Sequence, residues 1–552
     1  MKDMWFKMKK SSFVEGTFIA TFAIIFVKLL GMLYVIPFYA IVGTAGAALY
    51  AYAYNIYNVF LDISTVGLPI AISKITNEYN TLKMYDAKKR AYKIAINLMR
   101  FVSITIFIIL FIFAKDIAYL IIGDLSGGNN IEDITSVIRW ISLAILVIPY
   151  LSVTKGYLQG HNVINISSVS NVLEQVVRIA VILIGSYLAI KVFHGSYVLG
   201  VKIALTGAFF GGLVAYSFVR YKMYKNKEEL SLEKTIKKDN ITNKEIIKKI
   251  TSYAIPYIII NSITSLYSFI DMILVIKALT IIGYETTTLE FIATSISTWS
   301  TKINMIIISI AMGMTISLIP AIVNSFTLKK WDEVNHKVNT SLKMITFISV
   351  PMAIGLSFLS NQVWALFYGP SDIGATILSL SVFVGMFTNY FMISSSIMQS
   401  INSFKIVYIA TITGFVLNAL LDIPLMLLFN KIGIPPYLGA LVASIIGYLT
   451  SVLISLLSLK KKEKKISYQD FFHTSLKIIV PSTCLIIVLI ILRLIPTNLD
   501  NNFNNLVFVL FNALIGMIVY FGVSYKMHII DDVFGKEYIN KLLKKLNFKV
   551  KH

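Results

Sequence analysis

Asn418 and Asp422 interrupt an otherwise oily stretch, GFVLNALLDIPLMLLF, between residues 414 and 429. Their spacing of four puts both on one face of a helix. A carboxylate in the middle of a bilayer costs about 2.5–3.5 kcal/mol on insertion scales, so keeping one there calls for a reason. Two other apolar stretches carry groups of matching chemistry: Asp271 sits in YSFIDMILVIK, and GALVAS places Ser444 four residues after Ala440, beside a backbone thinned by Gly439. Carboxylate, amide and hydroxyl oxygens are what a small hard cation coordinates. No thiolate or histidine cluster is available for a transition metal. These residues therefore read as a sodium or proton site. The competing reading is a carboxylate neutralised by Lys277 or Lys302, or simply protonated, and the residues by themselves leave both open.

A second group is cationic. Lys28 (IFVKLLG), Arg100 and Lys302 (STWSTKINM) fall within apolar stretches. Lys28 has no acid in its own helix, since Glu15 is more than three turns away. It reads as an ammonium facing a wet cavity and an anionic substrate, with Asp62 of the next stretch as the other available partner. Glu174 and Arg178 are spaced i, i+4 and can pair within one helix; otherwise Arg178 is a further cation for the same cavity. Arg100 lies near a helix end and can snorkel to the interface. The dense YAYAYNIYN run (50–58) is either packing or the lining of a sugar-accepting cavity. No nucleophile–base pair, zinc spacing or phosphate-cradling glycine loop stands out, so an enzyme is not expected.

These groups need helices to hold them in lipid. The chain has 552 residues, is 57% hydrophobic and 14% charged, and has a mean hydropathy of +0.75. Soluble proteins carry nearer a quarter charged residues. Apolar stretches long enough to cross about 30 Å of hydrocarbon recur throughout, and the alternating pattern of a β-barrel is absent. The expected fold is an all-α polytopic membrane protein with fourteen transmembrane helices: 17–41, 46–73, 91–114, 136–154, 163–190, 197–218, 251–282, 291–322, 341–360, 373–400, 405–429, 436–459, 472–495 and 505–526. With the N-terminus inside, most of the 50 Lys and Arg become cytoplasmic, as topology rules require. The N-terminal MKDMWFKMKK then precedes a first helix rather than a cleaved leader, and both termini are cytoplasmic. The net charge of +22 is a topology signal with some attraction to anionic inner-leaflet lipids, and nucleic acid is not an expected partner. The one cysteine, Cys484, excludes an intrachain disulfide.

The sequence repeats itself. Residues 100–123 lie on 346–369 without a gap, and GYLQGHN (156–162) falls on SIMQSIN (396–402), pairing Asn162 with Asn402. Pro69 of GLPIAISK has a counterpart in Pro320 of SLIPAIVN. Repeats of this length mark transporters whose sites lie near the midplane between the halves. The expected organisation is a six-helix lobe (1–218), a basic cytoplasmic linker (219–250), a second lobe (251–465), two extra helices (466–530) and a basic amphipathic tail (531–552).

At KGYLQGHNVINISSVSNVLEQVVRIAV (155–181), GLPIAISKITNEY (67–79) and LNALLDIPLMLLF…GALVASIIGY (417–448), the chain resembles the MOP superfamily of flippases and exporters. It is most similar to the SpoVB/YtgP branch of the MurJ-type lipid II flippases. The resemblance implies two pseudo-symmetric lobes around a central cavity, with the extra helix pair forming a groove for a polyprenyl tail. It implies transport by alternating access of undecaprenyl-diphosphate-linked disaccharide pentapeptide (lipid II), by a monomer in a bacterial cell membrane, coupled to a cation or to membrane potential. The family's first-helix cavity arginine corresponds to Lys28. Its sodium site maps onto Asp271, Asn418, Asp422 and Ser444, with a backbone carbonyl near Ala440; no other cofactor is implied. A second first-helix arginine is replaced by Tyr34, and an arginine pair in the second helix by Leu61 and Asp62. Substrate contacts are thus expected at Lys28, Lys302, Tyr34, Asp62 and Arg178. Rival readings are a flippase for another lipid-linked glycan, such as a teichoic acid or capsule precursor, a cation-coupled drug exporter, and a membrane glycosyltransferase.

Overall fold

A computed structural model describes residues 22–23, 26–65, 67–123, 127–227, 230, 239–462, 466–495 and 499–535. The start of the first expected span and most of the expected amphipathic tail lie outside them. Every regular element among the described residues is helical. Thirteen segments are long and apolar enough to cross a membrane. The first of these, Phe26–Thr81, has 56 residues, about twice a crossing length. It bends at Gly43, whose backbone (φ 70°, ψ −178°) is non-helical and lies in a region that glycine enters without steric cost. The first two expected spans share this segment, which is compatible with fourteen crossings.

The chain packs as two compact units, Met1–Trp299 and Ser300–His552. In the first, a helical stretch from Phe26 leads into α1 (Val35–Thr65), followed by α2 (Gly67–Thr81), α3 (Tyr85–Ile112), α4 (Ala114–Ile122), α5 (Ile131–Ser142), α6 (Ile148–Gly160), α7 (Ile164–Ala180), α8 (Tyr197–Lys225), α9 (Asn243–Ile282) and α10 (Thr286–Thr294). Hydropathy locates the greasy middle of a helix, whereas capping decides where it starts. Thr242 and Glu245 form a capping box, satisfying two backbone N–H groups that would otherwise lack partners. α9 therefore begins inside the expected linker, as α8 ends within it.

Close helix contacts in this unit fall on glycines. A Cβ at Gly156 of α6 would lie 2.4 Å from the Pro69 carbonyl oxygen of α2, and one at Gly160 would lie 2.6 Å from that of Ser73. The GLPIAISK and KGYLQGHN stretches thus form a single helix–helix contact of the small-xxx-small kind. On α8, Cβ atoms at Gly207 and Gly211 would stand 2.8 and 2.6 Å from the carbonyls of Arg178 and Glu174. α7 is held against α8 by these two gaps.

The second unit runs α11 (Ser300–Thr327), α12 (Trp331–Phe358), α13 (Ser360–Tyr368), α14 (Asp372–Ser400), α15 (Phe404–Lys431), α16 (Tyr437–Lys462), α17 (Gln469–Leu492), α18 (Asn502–Lys526) and α19 (Ile529–Phe534). The last three dock on α12, burying Phe347, Ile478, Leu485, Tyr520, Ile529 and Val533 together. Lys343, nearly buried, ties this end by donating to the Asp470 carboxylate at 2.7 Å and to the Asp532 carbonyl at 2.9 Å.

The repeat read in the sequence recurs in the backbone. Lys83 and Lys329 adopt φ of 58° and 56°, Gly123 and Gly369 of 60° and 86°, and Asn162 and Asn402 of 61° and 56°. Left-handed backbone at a non-glycine residue is uncommon, so this shared pattern of three positions marks equivalent turns between helices. The helix carrying Pro69 (α2) packs on α6, and the one carrying Pro320 (α11) packs on α14.

Candidate functional site

The stretch bearing Lys28 runs along α7, because a Cβ at Gly31, one turn on, would meet the Gln175 amide nitrogen at 3.2 Å. α7 in turn carries Glu174 and Arg178, and α8 fixes its height through Gly207 and Gly211. Arg178 Nη2 donates to Glu174 Oε1 at 3.1 Å, so the i, i+4 pair expected from spacing forms. It is not isolated. Lys155 of α6 donates to Glu174 Oε2 at 3.4 Å and to Asn171 Oδ1 at 2.7 Å. These charged side chains remain 15–18% exposed, and the Arg178 Nε–H finds no acceptor among the described residues.

Asp62 of α1 is half-buried, accepts a hydrogen bond from the Ser265 hydroxyl of α9, and lies within electrostatic reach of Lys28. The alternative partner considered for Lys28 is therefore beside it. Tyr34 is 6% exposed, and its hydroxyl stands 3.4 Å from that of Tyr50. Tyr50, Tyr54 and Tyr57 lie within electrostatic reach of the Arg178 guanidinium. Lys28, Tyr34, Asp62 and Arg178 thus belong to one connected face. Among the described residues, Lys28, Lys155 and Arg178 outnumber Asp62 and Glu174 by one charge. An anion is the complement such a half-wet face can accept, since the pairs already formed discharge the rest.

The tyrosine run supplies walls more than contacts. Tyr50, Tyr52 and Tyr57 are 3%, 0% and 1% exposed. Tyr50 stacks on Trp299, with ring centroids 6.2 Å apart, and meets Phe38 edge-on at 4.9 Å. Tyr54 is half-buried.

In the second unit, the buried residues of α15 form one stripe, Val407, Ala410, Thr411, Gly414, Asn418, Asp422 and Met426. Two contacts fix what that stripe faces. The Ser451 hydroxyl of α16 donates to the Ala410 carbonyl at 2.9 Å, and a Cβ at Gly439 would lie 2.6 Å from the Met426 nitrogen. The helices run antiparallel between these contacts, so Asn418 and Asp422 lie opposite the segment from Ala440 to Ser444. All four are buried: Asn418, Asp422 and Ala440 are 0% exposed and Ser444 is 3% exposed. Their oxygens suit a small hard cation. Among the described residues no three His, Cys, Asp or Glu side chains gather around a point, so any ligation draws on amide and hydroxyl oxygens. Asp271, 6% exposed, lies on α9 of the other unit. Lys277 is exposed, six residues further along that helix, about 120° round from the Asp271 face. Lys302 is half-buried in the first turn of α11.

Lys155 was not singled out from the sequence. It sits one residue past the expected edge of its span and reads there as an interfacial lysine.

Comparison with known proteins places this geometry. The profile of the polysaccharide biosynthesis protein family matches residues 13–326, and that of the MatE family matches residues 256–423. "Lipid II flippase MurJ" of Bacillus subtilis (strain 168) is 31% identical over 551 residues, covering 95% of this chain and 97% of that one. A solved structure of lipid II flippase MurJ in an inward closed conformation superposes with a TM-score of 0.61 at 18% identity, over 93% of this chain and 99% of that one. An inward-facing MATE-family multidrug resistance transporter of the MOP superfamily gives 0.64 at 16% identity, over 79% of this chain and 95% of that one. The multi-pass helical fold, its repeat and its relatives agree: the chain belongs to the MurJ family of the MOP superfamily.

Proposed function

We propose that this protein is a flippase, not an enzyme, and that it moves the undecaprenyl-diphosphate-linked peptidoglycan precursor, lipid II, from the inner to the outer leaflet. The observation that carries the reading is the near-full-length similarity to a protein named lipid II flippase MurJ. The half-buried face of Lys28, Lys155 and Arg178 supports it. A diphosphate is a dianion with several acceptor oxygens, and an ammonium and a guanidinium answer it with charge-assisted hydrogen bonds. Lys28 and Arg178 hold the headgroup, Tyr34 shapes the wall, and Asp62 aims Lys28. The polyprenyl tail stays in lipid along α17 and α18.

The organisation is two six-helix lobes, 1–218 and 251–465, joined by the basic linker 219–250 and followed by the helix pair 466–530 and the tail 531–552. The protein works as a monomer in a bacterial plasma membrane with both termini cytoplasmic, where basic segments meet anionic inner-leaflet lipids. Asn418, Asp422, Ser444 and the Ala440 carbonyl hold a sodium ion or proton. When bound, the cation supplies positive charge that favours one lobe arrangement over the other. A ligand shifts such an equilibrium only by its differential affinity for the two states.

The test is chemical identification of the lipid-linked intermediate that accumulates when cells lose this protein. Lipid II is the expected species. Build-up of a teichoic acid or capsule precursor would reassign the substrate. Build-up of none, with lost export of a drug, would move the protein to the exporter branch.

A further inference from the structure

Glu290 of α10 has no part in the proposed transport site. It is 3% exposed. The backbone N–H of Asn129 donates to both of its oxygens, at 3.0 and 3.2 Å, and the Asn129 side-chain amide donates to Oε2 at 3.1 Å. Asn129 is 2% exposed; its amide also holds the Ala45 carbonyl at 3.1 Å, and the Tyr197 hydroxyl donates to its Oδ1 at 3.5 Å. Gly128 presses on the carboxylate so closely that a Cβ there would stand 2.7 Å from it, yet Gly128 itself is exposed. One turn of solvent-facing backbone therefore separates the acid from water.

The surroundings are those of an anion without a counter-charge. Tyr52 of α1 lies beside the carboxylate, and Tyr197 of α8 lies near it, followed by Asp133 of α5 with Lys202 beyond. No cation among the described residues bears on Glu290, from α9 or from any other helix packed on it. Hydrogen bonds to a charged acceptor are roughly twice as strong as neutral ones. A proton added to Glu290 removes that charge and sets an O–H where the amides already present N–H groups, so the contact weakens.

We propose that Glu290 is a proton-binding site on the outer side of the membrane, whose occupancy sets how firmly the Gly127–Asn130 turn latches the first unit. The grip reaches Ala45, two residues past the bend at Gly43. That bend aims the stretch carrying Lys28 and Tyr34. Acid outside the cell loosens the latch and frees the bend. The assignment to the outer side rests on the proposed topology, whereas the site itself does not.

Hydrogen exchange of the Asn129 amide in the full-length protein in nanodiscs tests this, with rates corrected for the intrinsic effect of pH. In the unsubstituted protein, protection falls about tenfold from neutral to mildly acidic pH. Glu290→Gln, which keeps one uncharged acceptor oxygen and turns an NH2 towards the Asn129 donors in place of the other, shows the low value at both. Asn129→Ala keeps the backbone contact, lowers protection at neutral pH towards the acid value and shrinks the step. Protection that ignores pH in the unsubstituted protein overturns the proposal, as does full protection in Glu290→Gln. If Glu290→Gln does not fold, a pH step that Asn129→Ala shrinks upholds the site and an unchanged step overturns it. Transport is not measured, so the outcome is independent of the flippase reading.

Discussion

Glu174 holds two cations, Lys155 and Arg178, at 3.4 and 3.1 Å. Its replacement by Gln leaves both without their carboxylate in a half-dry setting, and we expect a loss of about 1–3 kcal/mol. Thermal unfolding in detergent measures it; an unchanged midpoint would mean that these ion pairs contribute nothing to stability. Lys28 plays a different part, since its ammonium lies within electrostatic reach of Asp62 on the stretch that runs along α7. Lys28→Ala lowers headgroup transport roughly tenfold, and Lys28→Arg retains it because charge, more than shape, is what a diphosphate needs from that position. Asn418 and Asp422 were legible as polar groups inside an apolar helix, where burying them is costly. Lys155 and Glu290 were not. Each sits one residue outside an expected span, where a window average treats polar side chains as interfacial although helix packing covers them.

Helix contacts decide whether those side chains meet. Gly439 lets α16 approach α15 until a Cβ would lie 2.6 Å from the Met426 nitrogen, and that approach sets Ala440 and Ser444 opposite Asp422 and Asn418. Gly439→Val forces the helices apart at a cost of about 1–3 kcal/mol. Sodium or proton dependence of transport is expected to be lost in this variant while the fold, judged by circular dichroism, persists. Unaltered ion dependence would separate the α15–α16 contact from coupling. Asp422→Asn, which leaves the backbone alone, is expected to abolish the same dependence with a smaller effect on stability. Helix identity and order could be read from apolar runs, and the repeat from paired segments. Helix ends could not be, because capping at Thr242 and Glu245 extends α9 into a stretch that composition marks as linker. The bend at Gly43 was equally hidden: glycine is common in membrane helices, and nothing in the local sequence marks this one for a positive φ.

At the scale of the whole molecule, the all-helical membrane class follows from composition alone, since uncapped backbone polar groups are not tolerated in hydrocarbon. Family membership adds what spacing cannot, namely the transporter class from which the cargo is proposed. Among the described residues the proposed substrate face carries an excess of one positive charge in the first unit, which predicts a preference for diphosphate-linked over monophosphate-linked or uncharged lipid headgroups. That preference weakens with added salt, because a half-exposed charge is screened. The most direct measurement is transbilayer movement of labelled undecaprenyl-diphosphate disaccharide pentapeptide in vesicles reconstituted with the purified protein, compared with Lys28→Ala. Rapid movement that depends on Lys28 is the predicted result. Movement equal to that of protein-free vesicles, or equal in the two proteins, would contradict the account.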